Sequence, residues 1–291
     1  MSDFNGRAYD TPDDHVASCQ ECGAALALLG TGDPAAQPPP RLRDAVLSKA
    51  RRTRQEAAAQ VAALAVPYAA QVALMEELLD GLSHDQWEAP VVKHGTVRGM
   101  IGHLAENDAR AAHFMGVSTA LPERAETRWR RQATGLLERV SVNAEPLLAV
   151  EMALAGRRPV RGTLRQALIQ RTFETWTHAD DIRTALGRPS AVPPGETLNL
   201  IASFGLALLP KAMPRRDVVA TVVLTGPGGG SWTLPLSPAP TRPGVLVSAN
   251  VVDFCRLLAG RWSPDTFPYA AEGDPALARE LIAAASTLGC D

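Results

Sequence analysis

Apolar residues recur every three or four positions through much of residues 64–213, which is the spacing of one buried helix face. This pattern predicts five α-helices, several of which end at glycine or proline. Their predicted spans are 64–82, 96–116, 122–155, 163–186 and 197–213. The first four are long enough to pack antiparallel as a four-helix bundle, whose core can hold a metal or cofactor site.

After Pro214 the pattern changes from helical to mixed. Short β-branched runs predict strands, and the glycine-rich stretch 226–230 predicts a hairpin turn because it lacks the Gly-Lys-Ser/Thr ending of a phosphate loop. The predicted strands are 218–224, 231–236 and 244–247, and the closing helices are 251–259 and 275–288. The predicted fold class is therefore mainly α: a short helical module, a four-helix bundle and a small α/β C-terminal domain.

Proline and charge mark the division of the chain into domains. Residues 1–40 carry six acidic side chains against one basic one, whereas residues 41–54 carry six basic side chains against one acidic one. The Pro-rich stretch before the basic run cannot form a helix and acts as a stiff spacer. We predict a module at 1–33, a spacer with a basic helix at 34–63, the bundle at 64–190 and the C-terminal domain at 191–291.

Composition excludes several classes of protein. The 291 residues are 46% hydrophobic and 21% charged, as in a globular protein with a sizeable core. A net charge of −2 gives no general attraction to nucleic acid, and no apolar run reaches the roughly 20 residues that span a bilayer. Because the N-terminus also lacks a secretory signal core, we expect a cytoplasmic protein without a direct nucleic-acid or membrane partner.

His15, Cys19 and Cys22 form the first candidate site. Their spacing of four and three residues places all three on one face of a helix, where one imidazole and two thiolates can supply three corners of a tetrahedral zinc site. In a chain expected to be cytoplasmic, paired cysteines indicate metal or redox chemistry rather than a structural disulfide. The alternative is a chance pair of thiols beside a surface histidine.

The spacing His-x3-Cys-x2-Cys, with the Pro-rich stretch and the helix that follows it, resembles the zinc-binding anti-sigma family. The resemblance covers about residues 10–55 and implies a zinc module that clamps a sigma factor and releases it on thiol oxidation. That family takes its fourth ligand from an upstream helix, whereas no cysteine or histidine precedes His15 here. Asp13, Asp14, water or another chain would have to complete the site.

His103, Glu174 and His178 form the second candidate site. Glu174 and His178 are four residues apart on the fourth predicted helix and share a face, and His103 lies among apolar residues of the second. Two imidazoles and a carboxylate can bind zinc, nickel or iron with coordination positions left open, and Asp181 can orient a ligand. The alternative is a surface pair together with a histidine satisfied in the core.

The stretches around these residues resemble the mycothiol-dependent maleylpyruvate isomerase family. The matching motifs are Trp87-Glu88-Ala89-Pro90, Gly95-Thr96-Val97-Arg98, Glu174-Thr175-Trp176-Thr177-His178, Gly260-Arg261 and Gly273-Asp274. The resemblance spans about residues 65–290 and implies a DinB-like bundle in which His103, Glu174 and His178 hold zinc. It further implies the thiol mycothiol as cofactor and Arg261 as the positively charged residue that steadies a substrate carboxylate or enolate. In that family an aromatic residue usually follows the first glycine of these motifs, whereas here Gly95 is followed directly by Thr96.

Two functions of different classes follow. The fused N-terminal module favours a zinc-binding regulatory protein, similar to an anti-sigma factor, whose bundle senses a metal or a thiol. The alternative is a mycothiol-dependent metalloenzyme, an isomerase or thiol transferase, that acts on a small-molecule substrate at the second site. Three further histidines remain, and no other candidate ligand lies at helical spacing from any of them. His84, His94 and His113 are therefore expected to be solvated or to lie in the core.

Overall fold

A computed structural model of the chain describes residues 16, 18–30, 63–117, 124–142, 148–154 and 161–289. By its internal contacts the chain divides into two units, one ending at residue 58 and one beginning at residue 59. His15 lies outside the described residues, as does the spacer with its basic helix predicted at 34–63, apart from residue 63 itself. No helix in the described part of the chain is both long and apolar enough to cross a membrane.

The described part of the first unit contains the helix α1 (Gln20–Gly30), and Val16 and Ser18 before it are also helical. Cys19 lies immediately before it, and its carbonyl accepts a hydrogen bond of 2.9 Å from the backbone N–H of Gly23. Cys22 lies in the first turn of α1, and Cys19 is a single non-helical residue between Ser18 and that helix. The shared helical face of His15, Cys19 and Cys22 stays a prediction, because His15 lies outside the described residues.

The second unit begins with helices joined by very short strands. In chain order these are a 3₁₀ turn (Ala63–Ala65), α2 (Val66–Asp80), α3 (His84–Trp87), β1 (Pro90–Val91), β2 (Gly95–Thr96), α4 (Val97–Phe114), α5 (Ala125–Val142), β3 (Glu151–Ala153), β4 (Arg161–Thr163) and α6 (Leu164–Ala185). Strands β1 and β2 form an antiparallel pair, and so do β3 and β4.

Local chemistry explains where these helices begin. Thr96 caps α4 by accepting a hydrogen bond from the backbone of Gly99, and Thr163 forms a reciprocal capping box with Gln166 at the start of α6. The long helices α2, α4, α5 and α6 contribute buried side chains to one apolar core, including Met75, Leu104 and Trp129. Capping and core burial together hold these helices in place.

The C-terminal part combines helices with a mixed sheet. Its elements are α7 (Gly195–Ala212), β5 (Val219–Thr225), β6 (Gly230–Pro235), β7 (Pro243–Asn250), α8 (Val251–Leu258), β8 (Ala270–Gly273) and α9 (Pro275–Ala285). The strand order is β6-β5-β7-β8, with β5 and β7 parallel and the other pairs antiparallel. A second apolar core lies between the sheet and the helices, and Phe173 and Trp176 of α6 belong to it.

Helix α6 therefore serves both cores. Fifteen of its 22 residues are buried, which is more than a single apolar face can account for. The residues from 59 onward form one compact unit. This division does not test the domain boundary predicted at residue 190, which stays a prediction.

The mainly α fold is confirmed, with nine helices and a small mixed sheet in the described residues. The predicted hairpin turn at 226–230 is also confirmed, because it joins the antiparallel strands β5 and β6. One helix prediction was wrong: the span 122–155 is too long, since α5 ends at Val142 and Glu151–Ala153 is a strand paired with β4. The structure also adds β8, an edge strand whose four exposed residues show no apolar alternation.

Close packing of helix α7 on the β5–β6 turn gives a first testable prediction. A Cβ on Gly195 would lie 2.8 Å from the backbone nitrogen of Gly228, so Gly195→Ala should force two backbone segments apart. We expect this substitution to lower the free energy of unfolding by about 1–3 kcal/mol, measured by urea denaturation.

The control is Gly102→Ala, inside helix α4. The nearest atom to its Cβ would be that of Ala125 at 4.0 Å, so this variant should gain about 0.5–1 kcal/mol from helix propensity. Equal changes in the two variants would show that the close approach at Gly195 does not constrain the fold.

Candidate metal centre

Three histidines, His94, His103 and His178, converge in the second unit. One ring nitrogen from each lies within 4.8 Å of the others. The ring centroids are 4.4 Å apart for His94 and His103, 5.2 Å for His94 and His178, and 5.3 Å for His103 and His178. His178 is buried and the other two are half-buried. Three such donors are a set that zinc, nickel or iron accepts.

His94 reaches the cluster from the turn between β1 and β2. The residues on both sides, Lys93 and Gly95, have positive φ angles of 73° and 74°. The N–H of Thr96 donates to the carbonyl of His94 at 2.9 Å, which closes a γ-turn centred on Gly95. The turn also lies against α4, because a Cβ on Gly99 would stand 2.3 Å from the His94 carbonyl oxygen. Two glycines thus place this imidazole.

His178, on α6, is oriented by Asp181 one turn later. Its Nδ1 lies 3.1 Å from Asp181 Oδ2, so the proton on Nδ1 is directed at the carboxylate and Nε2 is the donor atom left for a metal. Arg261 in turn holds both Asp181 oxygens, with its Nε at 3.1 Å and its Nη2 at 2.5 Å. Burial raises the pKa of Asp181, but hydrogen bonds from His178 and Arg261 outweigh it and leave that pKa below its usual range.

His103 is linked to Glu174 through Asn107. The Asn107 amide nitrogen lies 2.9 Å from His103 Nε2 and donates to Glu174 Oε2 at 3.1 Å. The amide hydrogens of Asn107 thus point at a lone pair of His103 and at a lone pair of Glu174. A cation bound between these two residues would face the same lone pairs. The second oxygen of Glu174, Oε1, is buried and has no hydrogen-bond partner in the described part of the chain. A buried carboxylate oxygen in this condition is a further candidate metal donor.

Behind the cluster lies a buried ionic chain. Arg171 contacts Glu174 Oε2 at 2.8 Å and Asp108 Oδ1 at 3.0 Å, and the hydroxyl of Tyr68 donates to Asp108 Oδ2 at 3.0 Å. Burial raises the pKa of Asp108, which the charge on Arg171 offsets only in part, and burial also raises the pKa of Tyr68. When both acids are ionised, one guanidinium faces two carboxylates, and the excess negative charge favours a cation nearby.

The structure brings some predicted site residues together and adds one. His103 and His178 share the cluster, while Glu174 joins it through Asn107 and Asp181 contacts His178. Arg261 faces Asp181, and its Nη2 lies 3.5 Å from His178 Nδ1.

His94 was missed, because the sequence showed no partner for it. The signal that could have found it is the glycine after it, which indicates a tight turn just before the helix that carries His103.

At the first candidate site, Cys19 and Cys22 are of intermediate exposure and form no disulfide with each other. Hydrogen bonds from Cys22, chiefly from its backbone, lower the pKa of Cys19, and the hydrogen bond to Cys19 raises the pKa of Cys22. A lowered pKa favours the thiolate, the form that binds metals and reacts with oxidants.

Comparison with known proteins gives structural neighbours only. No protein-family model and no curated protein sequence matches the chain. A crystal structure of the mycothiol-dependent maleylpyruvate isomerase aligns with a TM-score of 0.45 and 15% identity, over 72% of this chain and 91% of that one. A mutant of the mycothiol-dependent maleylpyruvate isomerase aligns with a TM-score of 0.44 and 17% identity, over 71% and 91%.

The buried ionic chain gives the second testable prediction. Arg171→Met removes the guanidinium and leaves the carboxylates of Asp108 and Glu174 buried without their counter-charge. We expect the free energy of unfolding to fall by about 3–5 kcal/mol, measured by urea denaturation at neutral pH.

The matched control is Arg216→Met. Arg216 pairs with Glu280 at 2.6 Å, but these side chains are 36% and 43% exposed, so its loss should cost at most about 1 kcal/mol. If both variants lost the same stability, the burial of Arg171 would have no special role.

Proposed function

We propose that this protein binds a divalent metal ion through His94, His103 and His178. The convergence of the three imidazoles carries the proposal, since no two of the donor atoms are farther apart than 4.8 Å. The donor set fits zinc and also suits nickel or iron, because imidazole is a common ligand of all three. The unpaired Oε1 of Glu174 and the surplus of buried carboxylates support a cation at this place.

The surrounding residues each have a defined task in this proposal. Asp181 keeps the proton of His178 on Nδ1, and Arg261 fixes Asp181 by binding both of its oxygens. Asn107 donates to both His103 Nε2 and Glu174 Oε2, so a metal ion bound at His103 Nε2 would have to take the place of this amide. Because Arg261 is occupied by Asp181, its first contribution is to orient His178, and a substrate carboxylate would have to compete with Asp181 for it.

We further propose that residues 64–190 form a DinB-like four-helix bundle serving thiol chemistry. A bound divalent ion would lower the pKa of a thiol and so supply a thiolate at neutral pH. The motifs around His103 and His178 resemble the mycothiol-dependent isomerases, which favours a low-molecular-weight thiol such as mycothiol. The protein would then act as a thiol-dependent isomerase or transferase, or as a sensor of the thiol or the metal.

The regulatory alternative depends on the first unit. We propose that Cys19 and Cys22, with His15, form a zinc module similar to that of an anti-sigma factor, with a sigma factor as partner. The lowered pKa of Cys19 supports this, since thiolates are the zinc-binding form. Oxidation of the two thiols would then release the zinc and the partner.

The third testable prediction concerns the histidine cluster. We expect full-length protein, loaded with zinc and dialysed, to hold one metal equivalent more than the His178→Ala variant does, measured by elemental mass spectrometry. Zinc at a thousandfold excess over its Kd should stabilise the wild type by about 4 kcal/mol more than this variant. His113→Ala is the control, because His113 is exposed on α4. Full retention of metal by His178→Ala would contradict the proposal.

The fourth testable prediction concerns the cysteine pair. We expect a second zinc equivalent in reduced full-length protein, absent from the double variant Cys19→Ser/Cys22→Ser and lost under oxidation or at acid pH, because the ligands must be deprotonated. A pull-down with the reduced and oxidised protein then separates the two functions. A sigma factor retained only by the reduced form supports regulation, whereas thiol-dependent turnover that His178→Ala abolishes supports the enzyme.

A further inference from the structure

We propose that Asn107 sets the metal affinity of the histidine cluster, because its side-chain amide and a metal ion compete for His103. This inference rests on the proposed metal site and assigns a positioning residue to it. The Nδ2 atom of Asn107 lies 2.9 Å from His103 Nε2 and 3.1 Å from Glu174 Oε2. An amide nitrogen carries two hydrogens and acts as a donor, so both neighbours accept from it. One amide therefore joins two residues of the candidate site.

Glu174 fixes which end of the amide faces His103. An ionised carboxylate accepts hydrogen bonds and cannot donate them, so it selects the amide nitrogen over the amide oxygen. Arg171 holds the same oxygen of Glu174 at 2.8 Å, and both side chains are at most 4% exposed. With the amide nitrogen directed at His103, Nε2 must present its lone pair and the ring proton lies on Nδ1. The carboxylate thus determines the tautomer of His103 through Asn107.

This hydrogen bond is incompatible with a metal ion on His103, whichever ring nitrogen binds the ion. Binding through Nε2 uses the lone pair that accepts from Asn107. Binding through Nδ1 moves the ring proton to Nε2, where it would face the hydrogens of the amide. Turning the amide over would relieve that clash but would direct its oxygen at Glu174 Oε2. In either case the contact between Asn107 and His103 must break or invert when the ion binds.

His178 has the opposite arrangement. Its partner Asp181 contacts Nδ1, so that Nε2 carries the lone pair and is directed at the metal. Asp181 therefore supports metal binding, whereas Asn107 opposes it, because the two partners contact different nitrogens of their histidines. The competing explanation is that Asn107 is a structural contact between α4 and α6 and has no influence on the metal.

The two explanations predict different effects on two measurable quantities. As a competitor, Asn107 stabilises the zinc-free fold through two hydrogen bonds and weakens zinc binding, because the bond to His103 is lost when zinc binds. As a structural contact alone, Asn107 would stabilise the zinc-free and zinc-bound forms alike, and its removal would not tighten zinc binding. Stability and zinc affinity measured in the same variants therefore separate the two roles.

The experiment uses full-length protein carrying Cys19→Ser/Cys22→Ser, which removes the two thiols as competing zinc ligands. Zinc affinity is measured by competition with a chromophoric chelator, and the stability of the zinc-free protein by urea denaturation. We expect Asn107→Leu, which is close in shape, and Asn107→Ala to lower that stability. We also expect both variants to bind zinc about tenfold more tightly than the parent, which is about 1.4 kcal/mol.

The matched control is Asn199→Leu, in the C-terminal part. Asn199 donates to the carbonyl of Gly228 at 3.0 Å, so its replacement should lower the stability and leave the zinc affinity unchanged.

A second measurement needs no variant of the cluster. The chain has five asparagines, so isotope-labelled asparagine gives few side-chain amide signals in the NMR spectrum. The signal of Asn107 can be assigned from its nuclear Overhauser contact with the His103 ring, and we expect zinc to shift it.

Three results would overturn the inference, and they can be told apart. If the parent binds no zinc, the proposed metal site fails and the inference with it. If the Asn107 variants bind zinc as the parent does or more weakly, Asn107 is a structural contact and the metal site stands. If neither variant folds, the NMR signal decides, and an Asn107 amide that is unchanged at saturating zinc overturns the inference while the metal site stands.

Discussion

The contact on which the histidine cluster most depends is the buried guanidinium of Arg171 between two carboxylates. Its Nη1 lies 3.0 Å from Asp108 on α4 and 2.8 Å from Glu174 on its own helix, and these side chains are all at most 4% exposed. A buried charge is tolerated only when it is paired, so this contact fixes α4 against α6 at one register. His103 and His178 extend from these same two helices. The register that the ionic chain imposes is therefore the register that brings the imidazoles together.

The same helix carries the link to the C-terminal part of the unit. Asp180 pairs with Arg256 of α8 at 3.0 Å, and its neighbour Asp181 pairs with Arg261 just after that helix. One carboxylate thus ties α6 to the sheet-bearing part, while the other ties the same region to His178. A shift of α8 would move both arginines, and through Asp181 it would alter the hydrogen bond that directs His178 at the cluster. The C-terminal part is therefore linked to His178 through Arg261 and Asp181, and within the described residues the three clustered histidines all come from outside it.

Much of this fold could be predicted from the sequence, because periodic apolar burial is a local signal. Except for the helix predicted at 122–155, the long helices lie within three residues of their predicted ends, and so do the three predicted strands; β1–β4 and β8 were not predicted. The candidate metal centre was harder to predict from the sequence. His94 enters through a turn between two-residue strands, too short to leave a pattern, and its partners are distant in sequence. Arg171 is a charge in a helix whose fifteen buried residues face both cores, which a one-face periodicity does not indicate.

The donor set also determines how a bound ion would behave. Imidazoles are neutral, so three of them leave the full charge of a divalent ion to act on a fourth ligand, whereas a carboxylate cancels part of it. Glu174 is not one of the three converging donors, and its Oε2 is held by Arg171, whose positive charge withdraws electron density from the carboxylate. The ionic chain therefore weakens Glu174 as a donor while holding it in place. With three neutral imidazoles as ligands, a bound ion would keep most of its charge to polarise a fourth ligand.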